Sequence, residues 1–198
     1  MTAFAGSRSL VDTLVPEGRV QRYVWYVALA VLGTFILTVS AKIKVPMWPV
    51  DASLQTLAIA AIAATYGMRL GTATVVLYLL EGAFGMPVFQ GTPERGIGLA
   101  YMMGSTGGYL AGYVAMAAII GWGADRGWDR NPFKLFGVML VAEVVMLGLG
   151  ALWLAHLFGA DKAFAYGVGP FIVTDLVKIA IAACIVPALW RGLRRLRV

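Results

Sequence analysis

The sequence predicts an all-α integral membrane protein of six transmembrane helices, N-in and C-in, with an outer lid loop between helices one and two. Three observations predict it. First, 60% of the 198 residues are hydrophobic and 13% are charged, and the mean hydropathy is +0.80. Soluble domains run about 45–50% apolar and about 25% charged, and a chain of this length has too little interior to hide the excess from water. Second, the apolar runs are continuous and do not alternate. That selects spanning helices, which satisfy their own backbone hydrogen bonds, over a membrane barrel. Third, the basic residues are unevenly placed. With an N-inside start, eleven of the 16 Lys and Arg fall inside, four (Lys42, Lys44, Arg95, Lys162) fall outside, and Lys178 lies within the last span. Basic residues favour the cytoplasmic side, and an even number of spans keeps the basic C-terminal tail there.

The resulting organisation is a polar cytoplasmic tail at 1–20, a membrane domain at 21–191 and a basic cytoplasmic tail at 192–198. The tail at 1–20 has no secretory apolar region, so targeting falls to the first span. The formal charge of +6 sits in short loops and tails. It therefore reads as topology and not as affinity for nucleic acid.

Span one covers about 23–40 and carries Ala30, Thr34 and Thr38 at four-residue spacing. The loop that follows contains Pro46, Met47, Trp48 and Pro49. The two prolines stiffen it and block a helix. It reads either as a lid over an outward cavity or as an interfacial loop anchored by Trp48. Gln55 and Thr56 open span two, 54–66. This span is short of the roughly 20 residues that cross the hydrocarbon core, so it is shielded, extended by its flanks, or re-entrant. Span three, 70–89, is interrupted by Glu81-Gly82, Gly85 and Pro87.

The segment 85–96 is a loop with tight turns. Phe89 and Tyr101 suit a flat apolar ligand, and Arg95 suits a carboxylate. Span four, 98–122, repeats Gly104, Gly108 and Gly112 on one face, a ridge that lets a neighbouring helix approach closely, first of all one of the same chain and alternatively one of another subunit. Span five, 133–158, holds Glu143, read as polar packing, and ends near His156. A lone histidine without companion ligands points to no metal. Span six, 166–190, carries Cys184, expected as a small buried apolar residue.

Asp175 and Lys178, three apart in span six, are the strongest chemical signal. They project from neighbouring parts of one helix face. Each charge costs about 2.5–3.5 kcal/mol at the bilayer centre on insertion scales, so such a pair serves a ligand cavity or ties helices together. The chain has no phosphate-binding G-x-x-x-x-G-K-[ST], no H-E-x-x-H, no G-x-S-x-G and no Cys/His ligand cluster. Nothing points to catalysis, and active transport would draw its energy from elsewhere.

Three regions together resemble the BioY family, the biotin-binding S components of energy-coupling factor (ECF) transporters. They are Val45-Pro46 through Pro49-Val50 to Leu54-Gln55-Thr56-Leu57; Gly67-Met68-Arg69-Leu70-Gly71, Leu77-Tyr78-Leu79 and Gly85-Met86-Pro87-Val88-Phe89, continuing to Gly107-Gly108-Tyr109-Leu110; and Pro170-Phe171 with Asp175-Leu176 and Lys178. Asp51, Thr92 and Ser105 depart from the family pattern. The resemblance implies a multi-pass protein of the bacterial or archaeal cytoplasmic membrane that holds biotin near the outer face and uses no cofactor. Its implied ligand residues are Asp175, Lys178, Arg95, Tyr101, Phe89, Gln55, Thr56, Trp48 and Gly91. Its implied partners are a transmembrane coupling subunit and two cytoplasmic ATPases, with docking at Ala30, Thr34 and Thr38. Two other readings stay open: an S component or facilitator for another vitamin, and a structural membrane subunit in which Asp175–Lys178 is only a tie.

Overall fold

The computed structural model of the chain describes residues 9–13, 18–45, 52–94 and 96–196. Within these, five helical stretches are long and apolar enough to cross a membrane. In chain order the elements are α1 (Arg19–Lys42), β1 (Lys44–Val45), β2 (Ala52–Ser53), α2 (Gln55–Ala83), α3 (Gly98–Met102), α4 (Gly107–Asp125), α5 (Pro132–Phe158), α6 (Ala160–Gly167) and α7 (Gly169–Leu196). Single 3-10 turns lie at Val11–Thr13 and Trp128–Arg130.

Spans two and three, expected as separate helices, are the two arms of α2. Gly67 (φ 78°, ψ 179°) breaks its helical path in a region essentially closed to any residue with a Cβ. The arms fold back on each other. A Cβ on Gly71 would sit 3.0 Å from the Ala63 Cα, and Gln55 Nε2 donates to the Tyr78 hydroxyl at 2.9 Å. Those two residues would be about 35 Å apart along a straight helix. Five long stretches therefore give six helical segments. The first arm, 55–66, rises about 18 Å, well short of a hydrocarbon core of about 30 Å, and it is buried within the bundle at Ile59, Ala60, Ala63 and Ala64.

Three sequence expectations need correction. Span four does not start at Gly98: α3 ends at Met102, and α4 begins at Gly107. The intervening turn closes through Gly104 N to Tyr101 O and Gly107 N to Gly104 O, so Gly104 lies outside the helical ridge. Glu81-Gly82 does not interrupt α2, which runs on to Ala83. Cys184 is exposed, because it lies off the face of α7 that buries Ile179, Ala182, Ala183 and Val186.

The remaining ridge packs within the chain as expected. A Cβ on Gly108 would overlap Trp153 of α5, and one on Gly112 would come within 3.0 Å of the Met146 backbone. The closest packing is α2 on α4 and α4 on α5, with α7 laid against α2 and α5. Tyr78, Met116, Ile120, Met139 and Ile179 fill the middle. α1 stands at the edge, packed chiefly on α2. β1 and β2 form an antiparallel pair between α1 and α2. The expected lid falls mostly on 46–51, outside the described residues.

Candidate ligand-binding site

α7 opens with Gly169 and Pro170. Proline suits a first helical turn, where its missing N–H would have no partner. Lys178 then lies about 14 Å along the helix. Its ammonium meets Asp175 Oδ1 at 2.7 Å, and both residues are buried, at 6% and 1% exposure. Thr56, on the first arm of α2, donates to the same Oδ1 at 3.1 Å. One carboxylate oxygen thus takes both bonds.

The pair is not sealed. It forms part of the wall of a cavity of about 400 Å³ between α2, α4, α5 and α7, within the size range of small-molecule sites. Around it the walls are aromatic and apolar: Phe89, Tyr101, Tyr109, Tyr113 and Phe171, with Met146 and Leu147 from α5. Phe89 is the best anchored of these. Its ring stacks on Tyr101 (centroids 5.1 Å, planes 18° apart) and meets Tyr78 edge-on at 5.4 Å. Gly82 makes this possible, since a Cβ there would overlap the Phe89 ring. The hydroxyl of Tyr78 donates to Val88 O at 2.9 Å, and that of Tyr101 to Gln90 O at 2.5 Å. Lys162 of α6, an exposed residue, lines the same cavity. Among the described residues, the charged residues of the lining are Asp175, Lys178 and Lys162.

Of the sequence candidates, Asp175, Lys178, Gln55, Thr56, Phe89 and Tyr101 converge on this cavity. Gly91 sits in the adjoining turn with positive φ and is not part of the wall. Trp48 and Arg95 lie outside the described residues. Ala30, Thr34 and Thr38 are remote, on α1; Thr34 is buried at 4% exposure, and the other two are half-buried. His156 is exposed near Trp153, and among the described residues no cluster of three His, Cys, Asp or Glu could hold a metal.

Sequence reasoning missed Tyr113, Lys162 and Lys42, which earn their roles only through tertiary approach. It also understated Glu143. That residue faces Asp175 and Lys178 from α5, is 3% exposed, and has no hydrogen-bond partner at either carboxyl oxygen.

Chemically, the cavity offers a hydrogen-bonding acid and an ammonium side by side, a flat aromatic enclosure and a further cation on α6.

Known proteins resemble the chain along most of its length. The family model described as "BioY family" matches residues 14–195. The probable biotin transporter BioY of Pyrococcus horikoshii is 36% identical over 159 residues, 80% of this chain and 92% of that protein. The biotin transporter BioY2 of Lactococcus lactis subsp. cremoris is 32% identical over 167 residues, covering 83% and 90%. The biotin transporter BioY of Thermotoga maritima is 34% identical over 152 residues, covering 77% and 88%. In fold, the chain matches a crystal structure of the S component for biotin from an ECF-type ABC transporter. The TM-score is 0.76, the identity 22%, and the match covers 89% of this chain and 95% of that one. On the family model and these relatives, the chain belongs to the BioY family.

Proposed function

We propose that this chain captures biotin at the extracytoplasmic face and serves as the substrate-binding subunit of an ECF-type uptake system. The observation that carries the reading is the Asp175–Lys178 pair in the wall of an aromatic cavity. Biotin presents N–H donors and a carbonyl acceptor on its ureido ring, an apolar body and a carboxylate. Asp175 accepts ureido N–H bonds, and the ammonium of Lys178 serves the ureido carbonyl. Phe89 and Tyr101 cover the rings, and Lys162 answers the carboxylate. The names of the relatives support the ligand.

Orientation follows from charge. The Trp190 end of α7, the Arg126–Arg130 turn and the Gly67 reversal share one end of the bundle, and the excess of basic residues supports a cytoplasmic position for it. The cavity then opens outward. A transmembrane coupling subunit and two ATPases complete the assembly, the coupling subunit docking on α1, where Ala30 and Thr38 are half-buried and Thr34 is covered by the bundle. The support for that side is the position of α1 at the bundle edge.

The test is calorimetric titration of the purified chain with biotin, followed by competition with desthiobiotin, thiamine and riboflavin. Saturable binding that desthiobiotin competes and the other two do not supports biotin. Heat released by thiamine or riboflavin instead would reassign the vitamin. Absence of any bound vitamin would leave Asp175–Lys178 as a tie.

A further inference from the structure

The segment between α2 and α3 carries the Phe89 wall, and it has no sheet or helix of its own to fix it. Its carbonyls are held from separate elements. Tyr78 holds Val88 O and Tyr101 holds Gln90 O. The other anchor is Lys42, the last residue of α1, 47 and 50 positions away in sequence. Its ammonium donates to Phe89 O at 2.8 Å, Thr92 O at 2.8 Å and Thr92 Oγ1 at 2.9 Å. Thr92 Oγ1 in turn donates to Phe89 O at 2.6 Å. Three acceptors thus converge on a group built to donate three bonds. Charge-assisted bonds of this kind are about twice as strong as neutral ones.

The helix behind Lys42 is the least embedded in the bundle. α1 packs chiefly on α2, and its other face is exposed at Val27, Val31 and Phe35. Next to Lys42, Ile43 O accepts from Leu54 N at 3.2 Å, at the entry to α2. The end of α1 is therefore bonded both to the start of α2 and to the wall loop.

We propose that Lys42 is a positioning residue for the cavity: it clamps the 84–97 loop to α1, so that ligand occupancy and the position of α1 against α2 are linked. The clause about occupancy rests on the cavity being the ligand site; the clamp does not. A ligand that packs on Phe89 steadies the loop, the loop steadies Lys42, and α1 follows. By linkage, a partner that moves α1 changes ligand affinity by the same factor.

The test uses the full chain purified in detergent. Hydrogen–deuterium exchange without ligand is compared for wild type, Lys42→Met and Lys42→Arg. Lys42→Met is expected to speed exchange across 84–96 about tenfold, as loss of a charge-assisted anchor implies, while the α4 core stays protected. Lys42→Arg, which keeps the donors on a different shape, is expected to fall between. Unchanged exchange in Lys42→Met would overturn the clamp. The link is read from spin labels at Val31 on α1 and Val76 on α2, with Cys184→Ser removing the native thiol. Biotin is expected to narrow the wild-type distance distribution and to leave that of Lys42→Met broad. Equal narrowing in both would overturn the link. The exchange arm contains no ligand, so the clamp is decided by it even if biotin does not bind.

Discussion

Replacing Asp175 and Lys178 together, as Asp175→Leu with Lys178→Met, separates a ligand site from a helix tie. The two side chains are 1% and 6% exposed and share Oδ1 with Thr56. Removing one partner alone strands a buried charge and costs about 3–5 kcal/mol, so a single substitution confounds folding with binding. Removing both is different. Apolar residues of similar volume in place of a buried pair are neutral or stabilising by about 1–4 kcal/mol. The losses are the acceptor of Thr56, whose hydroxyl can turn to a carbonyl of its own helix, and the polar neighbours of Glu143. Binding should respond in the opposite sense. If the pair makes two charge-assisted bonds to the ligand, at about 1.5–3 kcal/mol each, the double variant weakens biotin about a hundredfold or more. The assays are thermal unfolding in detergent and calorimetric titration. A double variant that unfolds at or above the wild-type temperature and has lost biotin is the expected result. One that keeps wild-type affinity would refute the site, and one that unfolds several degrees lower would refute the energetic argument.

Gly82→Ala is expected to push the Phe89 ring off its seat, at an overpacking cost of about 1–3 kcal/mol. Biotin affinity should fall with it, read by calorimetry against the thermal midpoint. Glu143→Leu removes two buried oxygens that have no partner. Relief of a desolvation cost of about 1–3 kcal/mol should raise the thermal midpoint, and a fall would show that Glu143 has a partner it needs. Asp129, in the turn between α4 and α5, is buried and accepts from Trp190 Nε1. Burial pushes its carboxyl up to about 6 from 3.8, against the opposing pull of the Trp190 bond and Arg130. The folded form thus holds the proton more tightly than the unfolded form. Its stabilising contribution is complete below about pH 4 and lost as pH rises through about 6. The thermal midpoint of wild type should fall across that window more than that of Asp129→Asn, and parallel curves would exclude the effect.

The helices were legible where composition alone decides. α5, expected at 133–158, runs Pro132–Phe158, because an unbroken apolar run flanked by Asn131 and Gly159 leaves no other choice. α6 was not legible: Ala160–Gly167 is too short and too polar to stand out from the span that follows it. The Gly67 reversal was legible only as the gap between spans two and three, since nothing in Tyr66-Gly67-Met68-Arg69 states that its arms will touch. At the site, Asp175 and Lys178 announce themselves by three-residue spacing within one helix and by the cost of charge in lipid. Lys42 and Glu143 depend on meeting residues 47 and 32 positions away. Local pattern carries no record of such encounters. Gln55 and Thr56 were read correctly as polar openers of a span, and only the fold showed that one supports Tyr78 and the other Asp175.

The reversal at Gly67 limits what can be engineered into this protein. Reporter enzymes, epitope tags and protease sites are commonly threaded into the connections of a membrane protein to read its sidedness. At Gly67 there is no connection to enlarge, only one residue, with a Cβ position already claimed by Ser9 and Asp125. An insertion there should pry the two arms apart and scatter Gln55 from Tyr78, so a lost signal would report damage and not orientation. The turn at Trp128–Arg130, at the same end, would inherit a similar difficulty through Asp129. A sidedness tag for that end is better appended to the chain than inserted into it.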